Sequence, residues 1–180
     1  MAEIKFEIKE AVGALSQSFT LLTILVILSI YLTGCGTKNK MDFYKDTVST
    51  DLSQEKIGAV SIGSDESEVK DEFGKPDSTN KDTDSTYLIY GEKLEFKIVN
   101  GVVERYLFTN NKYKTVKKIY KGSSKEEVIE AYSDNYYVRT DSGAEVIGYF
   151  DKTNKLNIEF TINEEVVGIL ISNISNEIKK

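Results

Sequence analysis

Residues 94–108 read LEFKIVNGVVERYLF, and the fold is decided by how this stretch doubles back. Asn100-Gly101 stands between two runs rich in β-branched and aromatic residues. It is the strongest two-residue hairpin signal, because a type I′ turn needs φ > 0 at both central positions. Pairing about that turn places Leu94, Phe96, Ile98, Val103 and Leu107 on one face. Glu95, Lys97, Glu104 and Tyr106 take the other, with Lys97 opposite Glu104 as a favourable cross-strand pair. One face is apolar and the other wet, so the hairpin belongs to an antiparallel sheet covered on one side.

Upstream lie a short strand over residues 87–90 and, before it, a helix start. Residues 63–69 (GSDESEV) place Asp65 three positions before Glu68. That spacing predicts a capping box, in which the cap and the glutamate each satisfy a backbone N–H of the first turn. Val69 and Phe73 then share one helical face, and Gly74 with Pro76 ends the helix.

The pattern recurs downstream. Residues 122–128 (GSSKEEV) with Tyr132 align with residues 63–69 and Phe73, with Ser124 and Glu127 as the second box. A second meander follows, with Ile158, Phe160, Ile162, Val167, Ile169 and Ile171 as its inner face and Glu164-Glu165 at the turn. The expected class is α+β, two tandem repeats over 57–110 and 111–173, each a short helix followed by an antiparallel β-meander. Residues 36–56 are polar and aperiodic and read as a flexible tether, and 174–180 as a polar tail.

Residues 19–32 (FTLLTILVILSIYL) carry no charge. At 1.5 Å per helical residue they span roughly 20 Å, short of the ~30 Å hydrocarbon core but suited to the apolar region of a signal peptide. The run is apolar all round, whereas a surface-packed core helix shows a polar stripe. Leu32-Thr33-Gly34-Cys35 resembles a bacterial lipobox over the segment 19–35. That resemblance implies that Cys35 becomes the mature N-terminus and carries the lipid, palmitate included, on the extracytoplasmic face of the cell membrane. Residues 1–18 (MAEIKFEIKEAVGALSQS) are an atypical extension for an exported chain, with three glutamates against two lysines. They resemble the opening strands of a small bacterial single-stranded-DNA-binding family related to positive cofactor four. The likeness stops there and implies a fused or misassigned start. The alternative is an amphipathic helix along Ile4, Ile8, Val12, Leu15 and Phe19.

Two further runs carry a resemblance over most of 57–173. They are the I-G-x-x-x-x-E-V-x-x-x-F-G-K-P pattern at residues 62–76 and V-N-G-V-V at 99–103. Both are similar to small bacterial lipoprotein domains with the fold of the β-lactamase inhibitory protein. That group includes the small protein A type and the tandem domain preceding some secreted cysteine-rich-secretory-protein-like modules. The second copy departs from the pattern, with Ser133-Asp134-Asn135 in place of glycine and proline. The resemblance implies a binding or scaffolding module without catalysis.

Composition narrows the chemistry further. There is no histidine and Cys35 is the only cysteine, which removes histidine-based triads, internal disulfides and multi-cysteine metal sites. A net charge of −6 disfavours nucleic acid as a partner. Fragments at Ser67–Lys70, Ser133–Asn135 and Lys152–Asn154 imitate penicillin-binding enzymes, but the third lacks the glycine that lets a backbone lie beside substrate. Residues 59–63 lack a histidine to serve a nucleophile elbow. Asn80, Asp82 and Asp84 begin like a calcium loop, but Gly91 stands where a bidentate glutamate belongs. No cofactor or metal is expected. Lys112, Lys114, Lys117, Lys118, Lys121 and Lys125 form a basic run, either a solvated face or a contact for anionic polymer or headgroups.

The expected role is a non-enzymatic lipoprotein engaging an envelope protein through a wet sheet face. Its candidate interface is Tyr87 or Tyr90 (one of the two, by alternation), Tyr106, Phe108, Tyr149 and Phe150, with Arg105 beside them. A hydrolase working through carboxylates alone, or a ligand-binding lipoprotein, is the alternative.

Overall fold

A computed structural model describes residues 38–91 and 93–178. The expectations for residues 1–18 and for the export segment ending in Leu32, Thr33, Gly34 and Cys35 lie outside these residues.

The architecture is α+β. Two short strands, β1 (Lys56–Ile57) and β2 (Val60–Ser61), lead into helix α1 (Glu66–Phe73). Four strands follow: β3 (Ser78–Lys81), β4 (Thr86–Tyr90), β5 (Leu94–Val99) and β6 (Val102–Phe108). Helix α2 (Lys125–Tyr132) then precedes β7 (Tyr137–Asp141), β8 (Ala144–Asp151), β9 (Leu156–Asn163) and β10 (Glu165–Asn173). The last eight strands form one antiparallel sheet in the order β3-β4-β5-β6-β10-β9-β8-β7. Each half is thus a helix and a four-stranded meander, and the halves join where β6 pairs with β10.

Both helices cover the same face. Val69 and Phe73 of α1, and Val128 and Tyr132 of α2, share one core with Leu88, Phe96, Tyr106, Phe160 and Ile169. Fully burying side chains of this size stabilises by about 1.5–3 kcal/mol each. The helix starts follow the sequence reading. Ser124 Oγ accepts the Glu127 N–H at 3.1 Å while Glu127 accepts the Ser124 N–H at 2.7 Å. At the first helix Glu68 accepts the Asp65 N–H at 2.9 Å.

The hairpin of residues 94–108 has the expected turn, Asn100 at φ 51 and Gly101 at φ 82. Its register differs, because β6 carries a bulge. Ile98 pairs with Val103 but Lys97 pairs with Arg105, leaving Glu104 as the extra residue. From there every side chain of β6 changes face: Tyr106 and Phe108 point into the core and Leu107 points out. Lys97 therefore lies opposite Arg105, not Glu104. β10 repeats the device, pairing Ile162 with Val166 and Thr161 with Gly168 and leaving Val167 unpaired. Val166, rather than the expected Val167, is the buried residue. A bulge adds one residue to one strand only, so alternation counted across it is off by one.

Residues 38–56 are not a free tether. Lys40–Phe43 form a 3-10 helix, with Asn39 Oδ1 accepting the Met41 N–H at 2.8 Å. Met41, Phe43 and Tyr44 lie against Tyr137 and Phe150 on the sheet face away from the helices. The strap then rounds the end of β8, where Thr50 donates to the Phe150 carbonyl at 2.8 Å and Leu52 N–H to Asp151 at 2.9 Å. It ends among the helix-side core, with Leu52 1% exposed and Glu55 accepting the Tyr132 hydroxyl at 2.7 Å. Burial pushes the Glu55 carboxyl above the usual range, against the opposing effect of that hydrogen bond. The expected polar tail is likewise anchored, with Ile174 buried and Ile178 packed beside it. Polarity averaged over residues 36–56 hid Leu52 and the three apolar side chains at 41, 43 and 44.

The second helix ends where the glycine was missing. Ser133 adopts φ 84, ψ 176, as Gly74 adopts φ 80, ψ −157, and each N–H closes on the last turn at 2.8 Å. That region is nearly confined to glycine and costs a residue with a Cβ about 1–3 kcal/mol. Ser133→Gly should therefore raise stability by roughly 1 kcal/mol in urea melts, after the entropy glycine adds to the unfolded chain. A loss of stability would show that serine is unstrained there.

Candidate functional site

The sheet face away from the helices is polar across its middle. Two cross-strand rows define it. One runs Tyr87, Lys97, Arg105, Ser172, Asn157, Phe150 and the next Ile89, Glu95, Leu107, Leu170, Glu159, Gly148, Tyr137. The strap and Ile174 cover the Phe150 and Tyr137 end. The remainder is a groove of about 700 Å³ bounded by the residue 82–85 turn, by Lys40 and by Glu177.

The groove has two chemically different ends. On the first half, Lys97 and Arg105 are direct cross-strand neighbours, an arrangement of like charges that destabilises a sheet. Arg105 Nη2 donates to Glu95 at 2.7 Å, and both cations approach the Tyr87 ring to 5.9 Å. These contacts offset the repulsion without removing it. Arg105 Nε is buried and has no hydrogen-bond partner among the described residues. The bulge residue Glu104 faces the same groove, its carboxyl pushed up by burial and held back by Lys97.

On the second half, Arg139 grips Glu159 with two bonds, Nε at 2.7 Å and Nη2 at 3.0 Å. Glu159 also accepts the Tyr137 hydroxyl at 2.7 Å, and Asn157 donates to that hydroxyl at 3.0 Å. Burial raises the Tyr137 hydroxyl well above its ordinary value, and Glu159 adds to the shift. The Tyr137 ring lies directly on Gly148, where an added Cβ would come within van der Waals overlap of the ring. Glu159 is thus fully engaged, a bidentate pair completed by a phenol. Among the described residues no group of histidine, cysteine, aspartate and glutamate could hold a metal.

Of the interface residues expected from sequence, Tyr87 and Arg105 are brought together on this face, Arg105 lining the groove with the Tyr87 ring 5.9 Å away. Tyr90 lies on the other face, where its ring meets Phe73 and Phe96 and its hydroxyl donates to the Gly74 carbonyl at 3.1 Å. Tyr106 and Phe108 are in the core because the bulge turns them inward. Tyr149 is buried against Tyr132 and Phe160. Phe150 is on the expected face but lies beneath Tyr44 and Tyr137. Arg105 sits mid-sheet, between Lys97 on β5 and Ser172 on β10. The sequence reading did not single out Glu159 or Arg139, and it placed Glu104 on the wet face without a role in the site. Alternation about Ile158, Phe160 and Ile162 was enough to place Glu159 on the wet face.

No protein-family profile matches this chain, and no curated protein is similar to it in sequence. Its fold is similar to that of an extracellular protein containing a SCP domain from Bacillus anthracis str. Ames. The TM-score is 0.50 at 12% identity, over 73% of this chain and 49% of that one. A cysteine-rich secretory protein from Staphylococcus aureus subsp. aureus Mu50 follows with TM-score 0.47, 12% identity, 62% of this chain and 44% of that one. A DUF4309 family protein of Bacillus subtilis has TM-score 0.42 and 12% identity, over 64% of this chain and 82% of that one. The chain spans about half the length of the first two, and the first likeness is one of fold alone. Among the described residues no helix is long and apolar enough to cross a membrane.

Gly148→Ala tests how far the second end of the groove depends on close approach. Its methyl should displace Tyr137 and open the Glu159 lock, costing about 1–3 kcal/mol in urea unfolding. Tyr137→Phe, which keeps the ring, should leave the Arg139–Glu159 pair and cost less. Equal stability of Gly148→Ala and the parent would show that the ring moves freely.

Proposed function

We propose that this chain is a lipid-anchored, extracytoplasmic binding module without catalytic activity, which takes an envelope protein in the groove of its open sheet face. Each half is, in this reading, one copy of a unit of the β-lactamase inhibitory protein type, and the lipid is carried on Cys35. The extracellular SCP-domain protein that shares the fold supports a location outside the cytoplasm. One observation carries the binding role: Lys97 and Arg105 are set side by side over Tyr87, with a buried Arg105 N–H lacking an acceptor. A buried donor left unmade costs about 1–3 kcal/mol, and like charges directly opposite on neighbouring strands add to that cost. A carboxylate from a partner set between the two cations relieves the repulsion. The favoured partner surface is accordingly a single carboxylate with apolar flanks for Leu107, Leu170 and Ile89, since the groove itself carries Asp82, Asp84, Glu104 and Glu177. The Arg139–Glu159–Tyr137 lock acts as the rigid wall of the groove, and with both its oxygens engaged Glu159 is poorly placed as a general acid or base.

Site-specific photo-crosslinking in intact cells tests the assignment. A photoreactive residue at Tyr87 or Lys97 should give one discrete adduct, lost on Arg105→Glu, while the same residue at Asp71 or Glu130 on the helices gives none. Adducts of equal yield from both faces, or adducts indifferent to Arg105→Glu, would remove the groove from consideration.

A further inference from the structure

The strap that covers the second half of the sheet leaves its own outer side basic and apolar. Lys38, Lys45 and Lys155 are exposed and Lys152 is half-buried. Lys152 and Lys45 are held together, Lys152 Nζ donating to the Lys45 carbonyl at 3.1 Å, and Lys155 Nζ donates in turn to the Lys152 carbonyl. Lys152 Nζ also stands 5.3 Å from the Tyr44 ring centre, and its N–H is tied to Ser49 at 2.9 Å. None of these four lysines enters an ion pair among the described residues. Of the acids on the same strap, Glu55 is buried, Asp42 accepts the Asn39 N–H at 2.7 Å and Asp51 the Ser53 N–H at 2.9 Å, which leaves Asp46 without a backbone partner among the described residues. In a chain of net charge −6 these four lysines stand against three exposed aspartates of the strap, Asp42, Asp46 and Asp51. Beside them Val48 is 59% exposed, more than Val116 at 40% or Val138 at 41%.

The position of this patch along the chain says what it faces. Cys35 precedes Asn39 by four residues, and four residues fully extended reach at most about 14 Å. Asn39 is already fixed as the cap of the docked 3-10 helix. A lipid on Cys35 therefore holds the start of the strap within about 14 Å of the headgroups, where a 21-residue free tether would have imposed nothing. Anionic headgroups act on charges only within a Debye length, about 8 Å at physiological salt, so lysines clustered beside the tether point are well placed to feel them.

We propose that the outer side of the strap and the β8–β9 turn form a membrane-docking surface. Lys38, Lys45, Lys152 and Lys155 meet anionic phospholipid headgroups, and Val48 enters the interface. The proposal rests on the lipid anchor assigned above and adds a fixed orientation to it: the domain lies on the membrane by one face.

The test uses the full lipidated chain in vesicles, where Cys35 is blocked and a thiol introduced by Val48→Cys is the one free for a polarity-sensitive fluorophore. Asp71→Cys on α1 is the control. In phosphatidylglycerol vesicles containing a headgroup-level quencher, the label at 48 should be quenched at least as strongly as a membrane-inserted standard and the label at 71 not at all. Each lysine near an anionic surface strengthens adsorption about fivefold. Lys45→Gln with Lys152→Gln and Lys155→Gln should then lower the docking equilibrium constant about a hundredfold, and phosphatidylcholine alone should lower it at least as far, with the lipidated mass unchanged. A lipidated chain whose label at 48 stays as wet as that at 71 overturns the docking surface alone, as would be the case if the patch met a wall polymer. A chain of unlipidated mass overturns the anchor, and the docking surface with it.

Discussion

The pairing of β6 with β10 is the contact on which the rest of the molecule depends. Four residue pairs, from Ile169 with Phe108 to Ser172 with Arg105, turn two four-stranded meanders into one sheet. Without it each meander would end on a bare strand whose inner side chains, Tyr106 and Phe108 or Ile169 and Ile171, are among the most buried in the protein. Bare edges of that kind invite misassociation, and the seam removes two at once. It also lets both helices share a single core, since the buried side chains of α1 and α2 belong to one cluster.

The groove is a product of that seam. Lys97 and Arg105 come from the first half, Leu170, Arg139 and Glu159 from the second, and neither set makes a site alone. The two bulges flank the seam, one on each strand that forms it. Each bulge increases local twist and re-aims the side chains beyond it. Arg105 owes its place on the groove to the first. The halves differ in what lies on this face. The strap and Ile174 fill it over β7 and β8, whereas over β4 to β6 it stays open, so similar meanders provide a wall in one half and a binding surface in the other.

Much of this was readable from residues alone, and the failures are instructive. The capping boxes, the Asn100-Gly101 turn and the inner set Leu94, Phe96, Ile98 follow from local stereochemistry, which a sequence states directly. The wet-face identity of Tyr106 and Phe108 was lost at one unpaired residue, Glu104, because a bulge is a property of two strands and leaves no obligatory mark in either. Val103 and Val102 on one side, and Val166 and Val167 on the other, fit either register by composition. Phe150 was placed on the correct face, yet what covers it comes from a strap whose apolar residues are too few and too irregularly spaced to show periodicity. Ser133 supplied a backbone surprise. Its positive φ repeats that of Gly74, and geometry shared by two helix ends outweighed the preference of a single residue.

Native-state hydrogen exchange on β5 and β9 tests most directly whether the two halves form one cooperative sheet. Each strand lies next to the seam, one in each half. The amides of Phe96 and Ile98 and those of Ile158 and Phe160 should open with the same free energy, equal to global unfolding, and with the same denaturant dependence. Two classes of protection, one for each half, would mean that the seam opens by itself, and a groove built across it could not be the binding site.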